Sequence, residues 1–252
     1  MPHRTSEHFH GKSIPDHIRE ARLKGSQASA EIHGTEISGY QAAFADSLRD
    51  SALAMALIAS ISFELLPQTK AALLTLLFLG GWLIWKTSRS ALLGWARLER
   101  LHILIEEERW EIEHHRPQER EELMELYQAK GFEGELLTEV LDVLMADDNR
   151  LLQVMLTEEL GLSLESYEHP LKQASGAFLG VSTALVIGAL SYYLVSSYGF
   201  LLSSLPLFLG AGIWTAKIEN IKILPSFVWN LAIFVLSLGS IHFIQELIEK
   251  WA

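Results

Sequence analysis

The chain has 252 residues, a formal net charge of −11 and no cysteine; 49% of its residues are apolar and 20% charged. That length allows one or two domains. The missing cysteines exclude disulfides, thiolate zinc sites and cysteine nucleophiles, and the acidic balance excludes a nucleic-acid partner, because phosphate binding needs a basic face.

Residues 1–42 are a polar, histidine-containing segment with His3, His8, His10, His17 and His33. No cleavable signal peptide is legible there, so insertion into a bilayer falls to an internal helix. Arg19, Arg22, Lys24 and an Ala/Ser-rich middle make 14–36 an expected amphipathic helix lying at a membrane surface. The run His8-Phe9-His10-Gly11 offers imidazole ligands to a metal, against the plainer reading of a solvated terminus.

Charge is absent between Lys172 and Lys217, and again between Lys222 and Glu246. Each run exceeds the roughly 20 residues that cross a bilayer as a helix, and the first is long enough for two passes. An integral, all-α membrane protein is the reading. Five spans are expected: one from about Ala43 to Phe63, one from Ala71 to Trp85, and three within 172–252. The first reaches full length only by taking in Asp46 and Asp50, four apart on one face. Such acids either line a pathway, with Arg49 as partner, or mark the headgroup entry. Gly80-Gly81 predicts close helix approach in the second span. With no punctuation after Lys86, that span is expected to run on as one long helix. Ala174, Gly176, Gly180 and Gly188 predict a tightly packing face on the third. A turn is expected from Tyr198 through Ser203 and Ser204 to Pro206, before the fourth span. Basic residues cluster in the N-terminal segment, in 86–172 and in 217–222. This distribution puts the N-terminus and the acidic middle in the cytosol and the C-terminus outside.

Residues 100–168 are the chemically dense part. Glu108 and Glu111 stand three apart and share a helix face, and Glu119 and Glu122 repeat the spacing after a break at Pro117. On two helices folded back on each other, these pairs would surround one small volume. Like charges that close repel unless a cation sits between them, and oxygen ligands suit hard or borderline divalent metals. The competing reading is a solvated acidic helix face. Gly131 is an expected C-cap, Asp147 an N-cap or a kink, and Gly161 an end to the last helix. Met155 shares a face with Glu159; taken alone it reads as core.

The run ERWEIEHHRPQEREELMELYQAKGF, followed by MADDNRLLQVMLTEELGL, resembles the vacuolar iron transporter family over roughly residues 44 to 245. The resemblance implies a homodimer of five-helix protomers with a cytosolic three-helix metal-binding domain between the second and third spans. It implies a transporter, not an enzyme, that moves Fe(II) and often Mn(II) out of the cytosol in exchange for protons, with no organic cofactor. By motif the metal ligands fall on Glu108, Glu111, Glu119, Glu122, Met155 and Glu159, with Glu158 as a further candidate. In the spans the family has an aspartate followed by glycine; here Asp46 or Asp50 is the counterpart, and neither is followed by glycine. A glutamate and a methionine of the family's second span have no match in TLLFLGGWLIWKTS, and Lys86 falls close to where the methionine is expected. A fixed positive charge there raises the barrier to a divalent cation.

Three functions follow as expectations. The first is an Fe(II)/Mn(II) exporter of the bacterial inner membrane, and the second a membrane-anchored metal sensor or buffer that keeps the cytosolic site without a path. The third, a di-iron oxidase, needs a Glu-x-x-His motif on each of two helices. Glu111 and His114 supply one, and the following helix supplies none.

Overall fold

The computed structural model describes residues 13–29, 39–162 and 169–251, and among these every regular element is helical. In chain order they are α1 (Ile14–Ser29), α2 (Tyr40–Leu65), α3 (Gln68–His114), α4 (Arg116–Ala129), α5 (Gly134–Met145), α6 (Asp148–Glu158), α7 (Pro170–Val195), a 3-10 turn (Ser196–Tyr198), α8 (Gly199–Ile218) and α9 (Ile223–Trp251). Two compact units result. One joins α1 to the stretch from Ala96 through α6; the other joins α2, α3 up to Trp95, and α7 to α9.

The second unit is built for an apolar surround. α3, α7, α8 and α9 are each long and apolar enough to cross a membrane. Among the described residues four helices meet that test, where five spans were expected. In α2, Asp46, Arg49 and Asp50 near the start and Glu64 near the end leave too short a run without charge. Yet α2 is the helix on which α7, α8 and α9 converge. Its buried residues are mostly small: Ala42, Ala45, Ser47, Ser51, Ala52, Ala56, Ala59, Ser60 and Ser62. Large apolar residues are turned outward instead, as with Phe178, Val186 and Leu190 on α7 and Trp229, Val235 and Leu236 on α9. Exposed apolar surface of that extent suits lipid, where tight packing of small residues holds helices together.

The small-residue face expected on α7 does this work. A Cβ at Gly176 would lie 2.2 Å from the Tyr40 carbonyl oxygen, and one at Gly180 would lie 2.4 Å from that of Phe44. Gly80 and Gly81 do not: a Cβ at either meets nothing within 4 Å among the described residues. The close approach expected there is absent because α3 turns other residues, Ala72 and Leu79, toward Met55, Ala59 and Phe200.

The turn expected over 198–206 shrinks to the 3-10 turn, and α8 starts at Gly199 with Pro206 inside it. Proline removes one helical donor and crowds the preceding turn. Here the Ser203 hydroxyl donates to the carbonyls of Gly199 and Phe200, and the Ser204 hydroxyl to that of Leu201. None of these bonds reaches the Leu202 carbonyl, the acceptor that Pro206 leaves without its helical donor.

The first unit has an ordinary apolar core in which Leu101 and Ile112 of α3 meet Leu123, Leu137, Leu141, Leu151, Met155 and Leu156. Its turns follow local chemistry. Pro117 lies in the first turn of α4, where its missing N–H costs nothing. Gly131 (φ 92°) closes α4 in the left-handed region, with the Gly131 and Phe132 amides donating to the Gln128 and Tyr127 carbonyls, a Schellman ending. Asp147 caps α6 by accepting from the Arg150 amide at 2.9 Å. Gly161 (φ 66°) follows the end of α6.

The amphipathic helix expected over 14–36 forms over Ile14–Ser29, and residues 30–36 lie outside the described residues. Part of its apolar surface is used within the unit: Ile18 and Ala21 are buried, and Ala21 joins the core with Leu101, Ile112 and Leu160, while Leu23 is exposed. His3, His8, His10 and His33 also lie outside the described residues.

Candidate metal centre

Three helices bring the carboxylates together. Glu108 and Glu111 stand on α3, one turn apart. After a turn at His115 the chain doubles back, and Glu119 and Glu122 stand on the first two turns of α4. Glu159 follows the last residue of α6 as its C-cap. On its other face α4 carries arginines that pair with α5 and α6. Arg116 pairs with Asp148 at 2.5 Å and donates to the Met145 carbonyl, and Arg120 pairs with Asp142 at 3.0 Å. With those arginines fastened to α5 and α6, Glu119, Glu122, Leu123 and Leu126 are the residues of α4 that are buried.

Glu108, Glu119, Glu122 and Glu159 are all at least 96% buried. Carboxylate oxygens of Glu108, Glu119 and Glu159 lie within 4.8 Å of one another. A second triad, His17, Glu122 and Glu159, meets the same limit and shares Glu159 with the first. The His17 Nε2 is 3.7 Å from a Glu122 oxygen and 3.9 Å from a Glu159 oxygen. Glu108 Oε1 is buried with no hydrogen-bond partner among the described residues.

Burial and crowding disfavour the charged forms. Desolvation first, then the repulsion of Glu159, Glu111 and Glu122, holds the Glu108 carboxyl well above the usual range. Desolvation and then repulsion, chiefly by Glu108 and Glu122, push Glu119 up to about 11. Glu122 rises to about 8, through desolvation and then Glu111, offset by a hydrogen bond from Glu159. Glu159 is raised by desolvation, then by Glu122 and Glu111. The end of α6 adds to this, because the partial negative charge of a helix C-terminus opposes a carboxylate and favours a cation. Lys24 offsets part of this at Glu108 and Glu159; a divalent ion would add further positive charge, and the donor set could hold one: several carboxylate oxygens with an imidazole beside them. Metal entering such a site displaces protons from its ligands.

Not every expected ligand joins the cluster in the same way. Glu111 is half-buried and acts on Glu108, Glu119, Glu122 and Glu159 through its charge. Glu158 is ion-paired with Lys130, and its backbone carbonyl accepts from Arg22 at 3.2 Å. Met155 is fully buried in the apolar core. In the other unit, Asp46 accepts from Arg49 at 2.7 Å and Asp50 from Lys86 at 2.7 Å, with Lys86 also 3.6 Å from Asp46. The partner expected of Arg49 is thus present, and Lys86, 5% exposed, adds a second cation to the same two acids. His17 is the residue that sequence reading did not single out. It stood among five terminal histidines, and nothing in its spacing links it to Glu122, more than a hundred residues away.

No curated protein and no solved structure matches the chain. The sequence model of the VIT family matches residues 94–244. This match takes in the α3–α4 carboxylate pairs, Met155, Glu159, α7, α8 and α9 as far as Ile244. With 60% of its length matched, the chain belongs to the VIT family, the vacuolar iron transporters that its acidic motif resembles.

Proposed function

We propose that the protein moves Fe(II) or Mn(II) out of the cytosol in exchange for protons. The four buried glutamates Glu108, Glu119, Glu122 and Glu159 would capture the ion. Their burial among like charges is the observation that carries the reading: such a cluster is costly unless protons or a cation neutralise it. Capture of a divalent ion would release protons on the cytosolic side. In this reading α2 is the first of five spans, the acidic unit faces the cytosol and two protomers assemble. The family supports a membrane metal-ion transporter and no enzyme. In the spans, Asp46 and Asp50 are the carboxylates offered to the ion, which would compete there with Lys86 and Arg49.

The test is flux of Fe(II) and Mn(II) into proteoliposomes under an imposed proton gradient, reported by a metal-sensitive dye inside. Gradient-dependent flux is expected, and Glu108→Ala with Glu111→Ala should reduce it to background and abolish calorimetric Mn(II) binding by the full chain. Unchanged affinity in that double variant would sink the ligand assignment. Metal binding without any flux would instead identify a membrane-anchored sensor or buffer.

A further inference from the structure

We propose that His17 is a metal ligand of this centre: with Glu122 and Glu159 it forms a second cation position beside that of Glu108, Glu119 and Glu159, and it biases the centre toward ions that accept nitrogen. The proposal rests on the metal-capture reading above and adds to it a residue from the N-terminal helix.

Geometry carries it. Donors bound about 2.1 Å from one ion stand about 3.0 Å apart in an octahedral cis arrangement and about 3.4 Å apart in a tetrahedral one. The His17 Nε2 lies 3.7 and 3.9 Å from the two carboxylate oxygens. That is longer than an N–H···O hydrogen bond, wider than a tetrahedral ion requires by about 0.3–0.5 Å and than an octahedral one by about 0.7–0.9 Å, so the side chains would close in on the ion. The second triad also shares Glu159 with a site whose Glu108 oxygen is buried without a hydrogen-bond partner among the described residues.

The helix that carries His17 is seated in one register. Gly25 lies so close to the chain just past α6 that a Cβ there would stand 2.1 Å from the Leu160 carbonyl oxygen. Arg22 donates to the Glu158 carbonyl at 3.2 Å, and Ile18 and Ala21 are buried. Positions 18, 21, 22 and 25 thus fasten the helix, and His17 follows from that register to Glu122 and Glu159.

Chemistry supplies the consequence. Mg(II) and Ca(II) take oxygen ligands, whereas imidazole suits Fe(II), Zn(II) and other borderline ions. An all-carboxylate cage would admit abundant Mg(II); a nitrogen donor tilts the choice toward a transition metal.

The experiment uses the full chain in detergent, loaded with Mn(II) and examined by pulsed electron paramagnetic resonance for 14N modulation, together with competition by Mg(II). The native protein should show 14N coupling. His17→Gln should lose it, and its Mn(II) affinity should fall at least about tenfold, the loss that removal of even an outer-shell partner produces, with little change for Mg(II). A variant carrying His3→Ala, His8→Ala and His10→Ala should keep the coupling. Native protein that binds Mn(II) with oxygen couplings alone overturns the proposal without any variant. So does a His17→Gln protein with unchanged coupling and Mn(II)/Mg(II) ratio, which would leave His17 as a counter-ion only. If native protein binds no Mn(II), the capture reading falls and this proposal with it.

Discussion

Glu119 sits in the first turn of α4, where the helix dipole favours a carboxylate, and yet its carboxyl is pushed up to about 11. Desolvation outweighs the dipole because the side chain is 1% exposed and other acids surround it. The consequence for stability has a definite sign. A carboxyl whose folded pKa lies above its ordinary value of 4.5 stabilises the fold fully below that value. The contribution is lost as pH rises through the folded pKa. Metal-free protein should therefore lose thermal stability as pH rises from about 4.5 through about 8, where Glu122 titrates, and on toward about 11 for Glu119. Mn(II) should raise the melting temperature more at pH 8 than at pH 6, because fewer protons then compete for the ligands. Glu119→Gln, an uncharged near-isostere, should flatten the alkaline loss and shrink the Mn(II)-induced shift. Scanning fluorimetry over that range checks both; a Mn(II) shift that is larger at pH 6 contradicts the account.

At the scale of elements, the contact of α2 with α7 holds the bundle through backbone proximity. Gly180 has the Phe44 carbonyl oxygen 2.4 Å from where a Cβ would stand and the Leu48 nitrogen at 2.9 Å, so neither obstacle is a flexible side-chain end. Gly180→Leu should lower the melting temperature by roughly 5–10 °C, the effect of overpacking by a few kcal/mol in a protein of this size. Gly81→Ala, with open space around it, should leave it nearly unchanged. Size-exclusion profiles after heating would distinguish the two. Both glycines lie in apolar stretches and look alike in sequence. What separates them is which face of its helix meets a neighbour, and this depends on helix rotation. Pro206 teaches the same lesson. Read alone it predicts a turn, yet it lies inside α8 and the helix runs on to Ile218.

For the molecule as a whole, the proposed transport divides into capture and passage, and the two are separable by mutation. Asp50→Asn should reduce proton-driven Mn(II) flux to background while calorimetric Mn(II) binding stays as in the native protein. Glu119→Ala should lower both. Flux measured beside calorimetry on the same preparations decides it, and an Asp50→Asn protein with native flux would remove that residue from the path. The amino-acid sequence by itself determined the helical class, the long apolar helices, the unbroken α3 and the paired spacing of Glu108 with Glu111 and Glu119 with Glu122. These follow from periodicity and charge, which act over one or two helical turns and are printed in local order. The caps at Gly131 and Asp147 were legible for the same reason. Tertiary structure alone decided that Glu158 turns to Lys130, that Lys86 joins Asp46 and Asp50, and that His17 reaches Glu122 and Glu159. Each of those contacts joins residues dozens of positions or more apart, and it forms only when side-chain burial has fixed the rotation of both helices. No local pattern encodes that rotation.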